Sequence, residues 1–179
     1  MTHDESARKI KKDSKWWEKQ LRNEWRTDPR VFAFFDRRFR FTLDGAASAE
    51  NALCERYNSA QDPHRYSWKD GERVFCNPPY RNPKRRIEYW VKMAYSAVLT
   101  GSTAVLPLPA QVNAGWFHRW ACRGEIWIPE GRVEFLPPPG IATTKAGAKH
   151  DTIFVVMAPD RLSENRLAPT VRLIRDWND

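Results

Sequence analysis

The feature that most restricts the fold is the stretch FCNPPY, residues 75–80, at the end of a short apolar run. The residues from Arg73 to Cys76 have the pattern of a buried β-strand. Pro78 and Pro79 lack a backbone N–H group, and their rings fix φ at about −65°. A sheet cannot continue through them, so the strand ends at Asn77 and the chain leaves it through a stiff turn.

Predicted strands and helices alternate along the chain. Strands are predicted at 41–44, 73–76, 103–108, 125–128, 132–135 and 152–157. The fourth and fifth of these are predicted to form a hairpin. Residues 45–49 are predicted as a small-residue turn and 55–70 as a loop. Helices are predicted from Pro29 with Thr27 or Asp28 as the N-cap, from Ser48, from Pro83 to about residue 99 with Asn82 as the N-cap, and after Asn113. This alternation predicts an α/β fold with helices on both faces of a sheet, where ligands bind beyond the carboxyl ends of the strands.

The length of 179 residues fits one domain, 1–179. Residues 1–23 are predicted to form a basic N-terminal helix, 137–149 a flexible loop, and 159–179 a mixed C-terminal tail. No apolar run approaches the length of about 20 residues that a membrane span needs, and the chain does not start with the apolar core of a signal peptide. The 3 cysteines are widely spaced, which favours reduced thiols in a cytoplasm and gives no metal-binding pattern.

An excess of basic residues predicts a polyanionic partner. The chain has 30 Lys and Arg against 22 Asp and Glu, a formal net charge of +8. This charge favours nucleic acid, although good solubility alone also accounts for it. Cations in the first turn of a helix oppose its dipole, so a basic cluster there needs a reason such as phosphate binding. We predict a phosphate clamp, with a solvated charged turn as the alternative. The cluster consists of Arg81, Lys84, Arg85 and Arg86.

The loop at 137–149 is the candidate for reading a DNA sequence, because base-reading segments are often loops on a rigid scaffold. It carries two cations, Lys145 and Lys149. The chain leaves no room for a sizeable separate recognition domain, so the site that it reads is predicted to be short or loosely specified.

The Asn-Pro-Pro-Tyr turn suits the chemistry of an exocyclic amine. Such an amine is a poor nucleophile because its lone pair is delocalised into the ring. The Asn77 side-chain oxygen and the Pro78 carbonyl can accept both N–H protons and turn the lone pair towards an electrophile. Tyr80 can stack on a base that has left the helix. Asn77 would orient the amine and stabilise its developing charge, since an amide is no general base. An ordinary turn is the alternative.

Read together with FTLDGAASAENALCERY upstream, FCNPPY resembles the phage-type, Dam-like DNA N6-adenine methyltransferases. The resemblance spans about residues 24–157. It implies a Rossmann-like class I S-adenosylmethionine-dependent methyltransferase sheet, S-adenosylmethionine as the cofactor, and double-stranded DNA as the partner. The other matching segments are Glu24-Trp-Arg-Thr27, Leu43-Asp44, Leu106-Pro-Leu-Pro-Ala110, Trp116-Phe-His118 and Gly131-Arg-Val-Glu-Phe135.

The cofactor carries an ammonium group and no phosphate, so it needs no phosphate-binding glycine loop. Asp44, at a predicted strand end, is suited to pair with that ammonium. Capping a helix is the alternative role for this residue. Gly45 and Ala46 are small enough to let the backbone approach the ligand.

The resemblance extends the cofactor site to three further residues. It assigns Trp25 and Thr27 to an upstream cofactor-binding segment and Asp62 to the adenine amine of the cofactor. A solvated surface acid is the alternative for Asp62. The sequence departs from the family pattern twice: Asp28 intervenes before the following proline, and Gln111 stands where a basic residue is expected.

Two further classes of function stay open at this point, a methyltransferase on another amine and a non-catalytic protein. The same turn fits cytosine N4, an RNA base or a glutamine amide, and a non-catalytic DNA-binding protein on the same scaffold is another alternative. No metal and no membrane association are expected. The resemblance implies a phage-encoded protein in the cytoplasm of a bacterial host, and the oligomeric state is left undetermined.

Overall fold

The computed structural model describes residues 25–59, 68–80, 86–137, 150–162 and 169–178. The predicted helix at 1–23 lies outside these residues, as does nearly all of the predicted loop at 137–149. The helices are α1 (Pro29–Phe39), α2 (Ile87–Val98) and α3 (Gly115–Arg119), with 3₁₀ turns at Ala121–Arg123 and Pro159–Arg161. The strands are β1 (Arg26–Thr27), β2 (Leu43–Ala47), β3 (Tyr57–Ser59), β4 (Arg73–Phe75), β5 (Thr103–Pro109), β6 (Glu125–Pro129), β7 (Phe135–Leu136), β8 (Thr152–Met157) and β9 (Val171–Ile174).

Helix α1 begins where its sequence signals predict. The Asp28 side chain accepts a hydrogen bond from the Arg30 N–H at 2.8 Å, which caps the helix, and Pro29 occupies the first turn. The helix ends at Arg40, whose φ of 53° lies in the left-handed region. Its buried face consists of Val31, Phe34, Phe35 and Phe39.

Seven strands form a mixed sheet in the order β3-β2-β4-β5-β8-β6-β9. Strands β3, β2, β4 and β5 are parallel, β8 is antiparallel to both β5 and β6, and β9 is parallel to β6. From β2 the chain goes to β3 on one side and then to β4 on the other, so the strand order reverses between β2 and β4. A reversal of this kind is where ligands bind in an open α/β sheet. Strands β1 and β7 form a separate antiparallel pair.

Helices cover both faces of the sheet, as predicted. Along β5, Leu106 and Leu108 pack into a core with Trp90 of α2, whereas Val105 between them packs into a second core with Phe35 of α1. This is the period-two alternation of a strand that is buried on both sides.

The predictions between residues 45 and 59 were partly wrong. Strand β2 continues through Ala47, where a turn was predicted. No helix starts at Ser48; its N–H donates to the Asn51 side-chain oxygen at 2.6 Å and closes a turn. Short polar side chains compete in this way with helical hydrogen bonds. The predicted loop at 55–70 contains β3.

Two further boundaries differ from prediction. Helix α2 begins at Ile87 instead of Pro83, because the backbone of Arg86 is extended. This start keeps the cations out of the first turn and puts Glu88 there, which suits the helix dipole. Helix α3 begins at Gly115, after Ala114 instead of Asn113.

The predicted hairpin at 125–128 and 132–135 was also wrong. Both edges of β6 are taken by β8 and β9, and β7 pairs with β1. Within the C-terminal tail, 159–179, the structure has a 3₁₀ turn and the strand β9.

Gly124→Ala is expected to destabilise the fold. A Cβ atom on Gly124 would overlap the backbone oxygen of Val156 and lie 2.9 Å from the Met157 sulfur. Because the backbone of a central strand cannot move aside, the free energy of unfolding should fall by about 1–3 kcal/mol. Urea denaturation followed by tryptophan fluorescence measures this change. Gly115→Ala is the control, since its Cβ would meet the end of the exposed Arg119 side chain, which can turn aside at the cost of a surface ion pair with Glu88. An equal loss in both variants would contradict the packing argument.

Candidate active site

The two segments with the strongest sequence signals meet at one edge of the sheet. Strands β2 and β4 are parallel neighbours, with Asp44 in register with Phe75. Asn77 follows β4 after Cys76, whose N–H donates to Val105 O of β5 at 3.0 Å. The candidate site therefore lies where β4 ends, beside Asp44, the last residue of β2 that pairs with β4, at the point where the strand order reverses.

The Asn77 side chain is held at both ends of its amide. The Nδ2 group donates to Trp25 O at 3.4 Å and to Thr27 Oγ1 at 3.3 Å. On the other side, the Tyr80 hydroxyl lies 3.1 Å from Asn77 Oδ1 and 2.8 Å from Pro107 O. The turn after β4 is thus fixed by contacts to β1 and to β5.

Tyr80 uses its hydroxyl as an anchor. Burial is the main cause that raises the pKa of Tyr80 above its ordinary value, so the phenol stays protonated. A hydroxyl has one proton to donate, and Pro107 O is its nearer acceptor. Asn77 Oδ1 consequently keeps acceptor capacity for another donor. The ring of Tyr80 packs against the core on the α2 side.

Asp44 is a buried acid whose negative charge is poorly compensated. Its side chain is 5% exposed and accepts hydrogen bonds from Leu53 N at 3.1 Å and Ala46 N at 3.4 Å. Burial raises the pKa of Asp44 to about 6, and these two hydrogen bonds act in the opposite direction. No basic side chain in the described part of the chain forms an ion pair with this carboxylate. A cationic ligand would supply the missing partner.

Gly45 has a packing role that the sequence did not reveal. A Cβ atom there would lie 2.9 Å from Val74 Cγ1 and 2.9 Å from the Cys76 Cβ atom. Only glycine therefore allows β2 and β4 to pack this closely. Ala46 is half-buried beside the α2-side core.

The thiols near the site are unpaired and protonated. All three cysteines are free. Burial, with the charges of Asp44 and Asp36, raises the pKa of Cys54 to about 12. Burial, with the charge of Asp44, also raises the pKa of Cys76. Neither thiol is a nucleophile at neutral pH.

Of the predicted DNA-binding residues, the structure describes Arg86. It is exposed and immediately precedes α2, whose start faces the same edge of the sheet because α2 connects β4 to β5. The other predicted DNA contacts, and one predicted cofactor contact, lie outside the described residues: Arg81, Lys84, Arg85, Lys145, Lys149 and Asp62.

Gln111 lines a cavity of about 260 Å³ beyond the carboxyl end of β5, together with Arg132, His150 and Asp151. Gln111, which stands where a basic residue is expected in the family, therefore lies at the same edge of the sheet as Asn77. Among the described residues there is no group of three or more His, Cys, Asp or Glu side chains that could hold a metal ion. None of the described helices is long and apolar enough to cross a membrane.

A mostly parallel sheet with polar side chains where the strand order reverses defines an α/β domain with a candidate ligand site at that edge. The chain matches the family described as DNA N-6-adenine-methyltransferase (Dam) over residues 14–171. It belongs to this family, which confirms the resemblance drawn from FCNPPY and the segments around it.

One relative is the protein named DNA N-6-adenine-methyltransferase of Escherichia phage T1. It is 31% identical over 118 residues, which are 64% of this chain and 48% of the relative. The chain thus spans about half of the length of that protein. No solved structure gives a significant match.

The Asp44 carboxyl group is expected to titrate near pH 6 in the protein without ligands. Burial disfavours its charged form, so the group should take up a proton as the pH falls through about 6. Carbon-13 NMR of labelled aspartate carboxyl groups follows this titration, and Asp44→Asn identifies the signal. Asp28 is an internal comparison, because its hydrogen bonds with Arg30 lower its pKa. A midpoint for Asp44 near 4, the ordinary value for an aspartate, would contradict the argument.

Proposed function

We propose that this chain transfers a methyl group from S-adenosylmethionine to the N6 amine of adenine in DNA, on a Rossmann-like class I methyltransferase fold. The observation that carries the proposal is the register of the parallel strands β2 and β4, in which Asp44 lies opposite Phe75, two residues before Asn77. Asp44 suits a cationic ligand and Asn77 suits an amine, so donor and acceptor would lie side by side. Membership of the Dam family supports adenine as the target.

The residues around Asp44 fit S-adenosylmethionine. Its ammonium group would provide the charge partner that the buried Asp44 carboxylate lacks among the described residues. Trp25, Gly45 and Ala46 are proposed as further contacts of the cofactor, and Asp62 is proposed for its adenine amine. S-adenosylmethionine supplies an electrophilic methyl group on a sulfonium.

Asn77, Pro78, Pro79 and Tyr80 would hold the target amine. Asn77 Oδ1 and the Pro78 carbonyl accept its two N–H protons, which directs the nitrogen lone pair towards the methyl group and stabilises the charge that develops. The two prolines keep these acceptors rigid. The Tyr80 ring stacks on the extruded base while its hydroxyl remains tied to Pro107 O.

Basic residues would bind double-stranded DNA around this site. Arg86 is exposed just before α2, at the same edge of the sheet as Asn77. We assign Arg81, Lys84 and Arg85 to the same phosphate clamp. Lys145 and Lys149 are proposed as contacts in the sequence-reading loop. The enzyme would act on DNA in the cytoplasm of a bacterial host, which agrees with the phage origin of the relative.

Two substitutions are expected to separate amine binding from cofactor binding. Asn77→Ala should reduce methyl transfer by at least about 100-fold with little change in the affinity for S-adenosylmethionine. Asp44→Ala should weaken cofactor binding first. The measurements are tritium transfer from labelled S-adenosylmethionine to randomised double-stranded DNA, digestion to nucleosides, and calorimetry for the cofactor.

The exposed residues Asn178 and Asp70 provide matched controls as Asn178→Ala and Asp70→Ala, which should behave as the wild type. If the label appears only in N4-methylcytosine, in RNA or in a glutamine acceptor, that group and not adenine is the target. DNA binding with neither transfer nor cofactor binding would leave a non-catalytic protein. The reverse effects of Asn77→Ala and Asp44→Ala would overturn the assignment of roles.

Cofactor affinity is expected to fall in acid. The ammonium group needs an ionised Asp44, whose pKa of about 6 in the free protein means that the carboxylate is lost as the pH falls below that value. The dissociation constant should therefore rise by up to about tenfold for each pH unit below the pKa. Calorimetry between pH 5 and 7.5 measures it. Asp44→Asn should bind weakly at every pH in this range; a wild-type affinity that does not change would contradict the pairing.

A further inference from the structure

We infer that Thr27 is a positioning residue that helps to hold the Asn77 amide with its oxygen facing the target amine. The inference rests on the proposed function and gives Thr27 a different task from the cofactor contact that the family resemblance implies. It is carried by the hydrogen bonds around Asn77 and by the way in which Thr27 itself is fixed.

The orientation of the Asn77 amide decides what the site can bind. An amide has an acceptor oxygen and a donor nitrogen, and exchanging them would offer N–H groups to an amine that itself donates. The nitrogen lies 3.4 Å from Trp25 O and 3.3 Å from Thr27 Oγ1. A backbone carbonyl only accepts, so the Trp25 side of the amide must be the nitrogen. The oxygen is then turned towards Tyr80 and Pro107.

Thr27 is rigid where Asn77 is adjustable. Its side chain is 5% exposed, its backbone pairs with Phe135 of β7, and the next residue, Asp28, caps α1. A β-branched side chain has few χ1 rotamers, whereas the terminal torsion of asparagine is broad. The Thr27 hydroxyl is therefore held beside the amide nitrogen and accepts from it. Because a hydroxyl can also donate, the Trp25 carbonyl selects which end of the amide lies here, and Thr27 holds that end in place.

The remaining contacts do not hold the amide by themselves. The two bonds of the amide nitrogen, 3.4 Å to Trp25 O and 3.3 Å to Thr27 Oγ1, both lie slightly beyond the usual range for N–H···O bonds, so neither is strong alone. On the other side, the Tyr80 hydroxyl is nearer to Pro107 O, at 2.8 Å, than to Asn77 Oδ1, at 3.1 Å. Removing the Thr27 hydroxyl would leave the amide nitrogen with one long bond, so the amide would be held less firmly and its oxygen would face the amine for less of the time.

The test compares Thr27→Val with Thr27→Ser in the full chain. Valine keeps the shape and loses the hydroxyl, and serine keeps the hydroxyl. We expect Thr27→Val to lower kcat about tenfold or more on double-stranded DNA, with the calorimetric affinity for S-adenosylmethionine within about twofold of the wild type. Thr27→Ser should recover most of kcat.

Two outcomes would overturn the inference. Weaker cofactor binding with an unchanged kcat in Thr27→Val would make Thr27 a cofactor contact. Equal losses of kcat in both variants would also overturn it, because they would show that keeping the hydroxyl in Thr27→Ser does not preserve activity.

A second measurement does not depend on catalysis. The side-chain N–H signals of Asn77 in nitrogen-15 NMR, identified by their loss in Asn77→Ala, should shift in Thr27→Val and return close to their wild-type positions in Thr27→Ser. Unchanged signals in Thr27→Val would overturn the inference even in an active enzyme. Absence of N6-methyladenine with the wild-type protein would instead overturn the proposed function, and the NMR result would still decide whether Thr27 holds Asn77.

Discussion

The parallel pairing of β2 with β4 is the contact on which the site depends. Leu43 lies opposite Val74 and Asp44 opposite Phe75, so Asp44 lies beside the end of β4, two residues before Asn77. The pairing needs Gly45, because any Cβ there would collide with side chains of β4. Strands β3 and β5 extend the sheet from this pair, and the helices cover it on both faces. A shift of β2 by one residue would turn Asp44 to the other face of the sheet.

Two buried acids in the same sheet differ in whether neighbouring side chains compensate their negative charge. Burial opposes ionisation of Glu125, but hydrogen bonds from Arg172, Trp127 and Arg161 outweigh it and lower its pKa. Asp44 is buried as deeply but, among the described residues, receives hydrogen bonds only from backbone N–H groups, so its pKa rises. Perturbed ionisation of this kind is typical of a ligand site.

Local signals account for the parts of the fold that could be predicted. Asp28 and Pro29 mark the start of α1, and the strands near Arg73, Thr103 and Thr152 are apolar because both of their faces are buried. Strand β9 was not predicted, because three of its four residues are exposed and it lacks the apolar pattern of a buried strand. The pairing of β1 with β7 joins distant parts of the chain and has no local pattern.

The candidate site likewise has parts with a local sequence signal and parts without one. Asp44 and the Asn-Pro-Pro-Tyr turn were identifiable because their residue types match the groups that they would bind. The contacts of Asn77 with Thr27, and of Tyr80 with Pro107, depend on how β1 and β5 lie beside the turn. No spacing in the sequence encodes that proximity, so these contacts emerge only from the fold.

The place of β8 in the sheet has a consequence for the order of assembly during synthesis. Strand β6 pairs only with β8 and β9 within the described sheet, and both follow it in the chain. A ribosome-bound chain that ends before Thr152 therefore exposes the apolar face of β6 with no strand to receive it. Thr27 likewise pairs with Phe135, which is synthesised much later. Such long-range pairing slows folding and leaves strand edges open until late, so the amide of Asn77 acquires its alignment only when most of the chain has emerged.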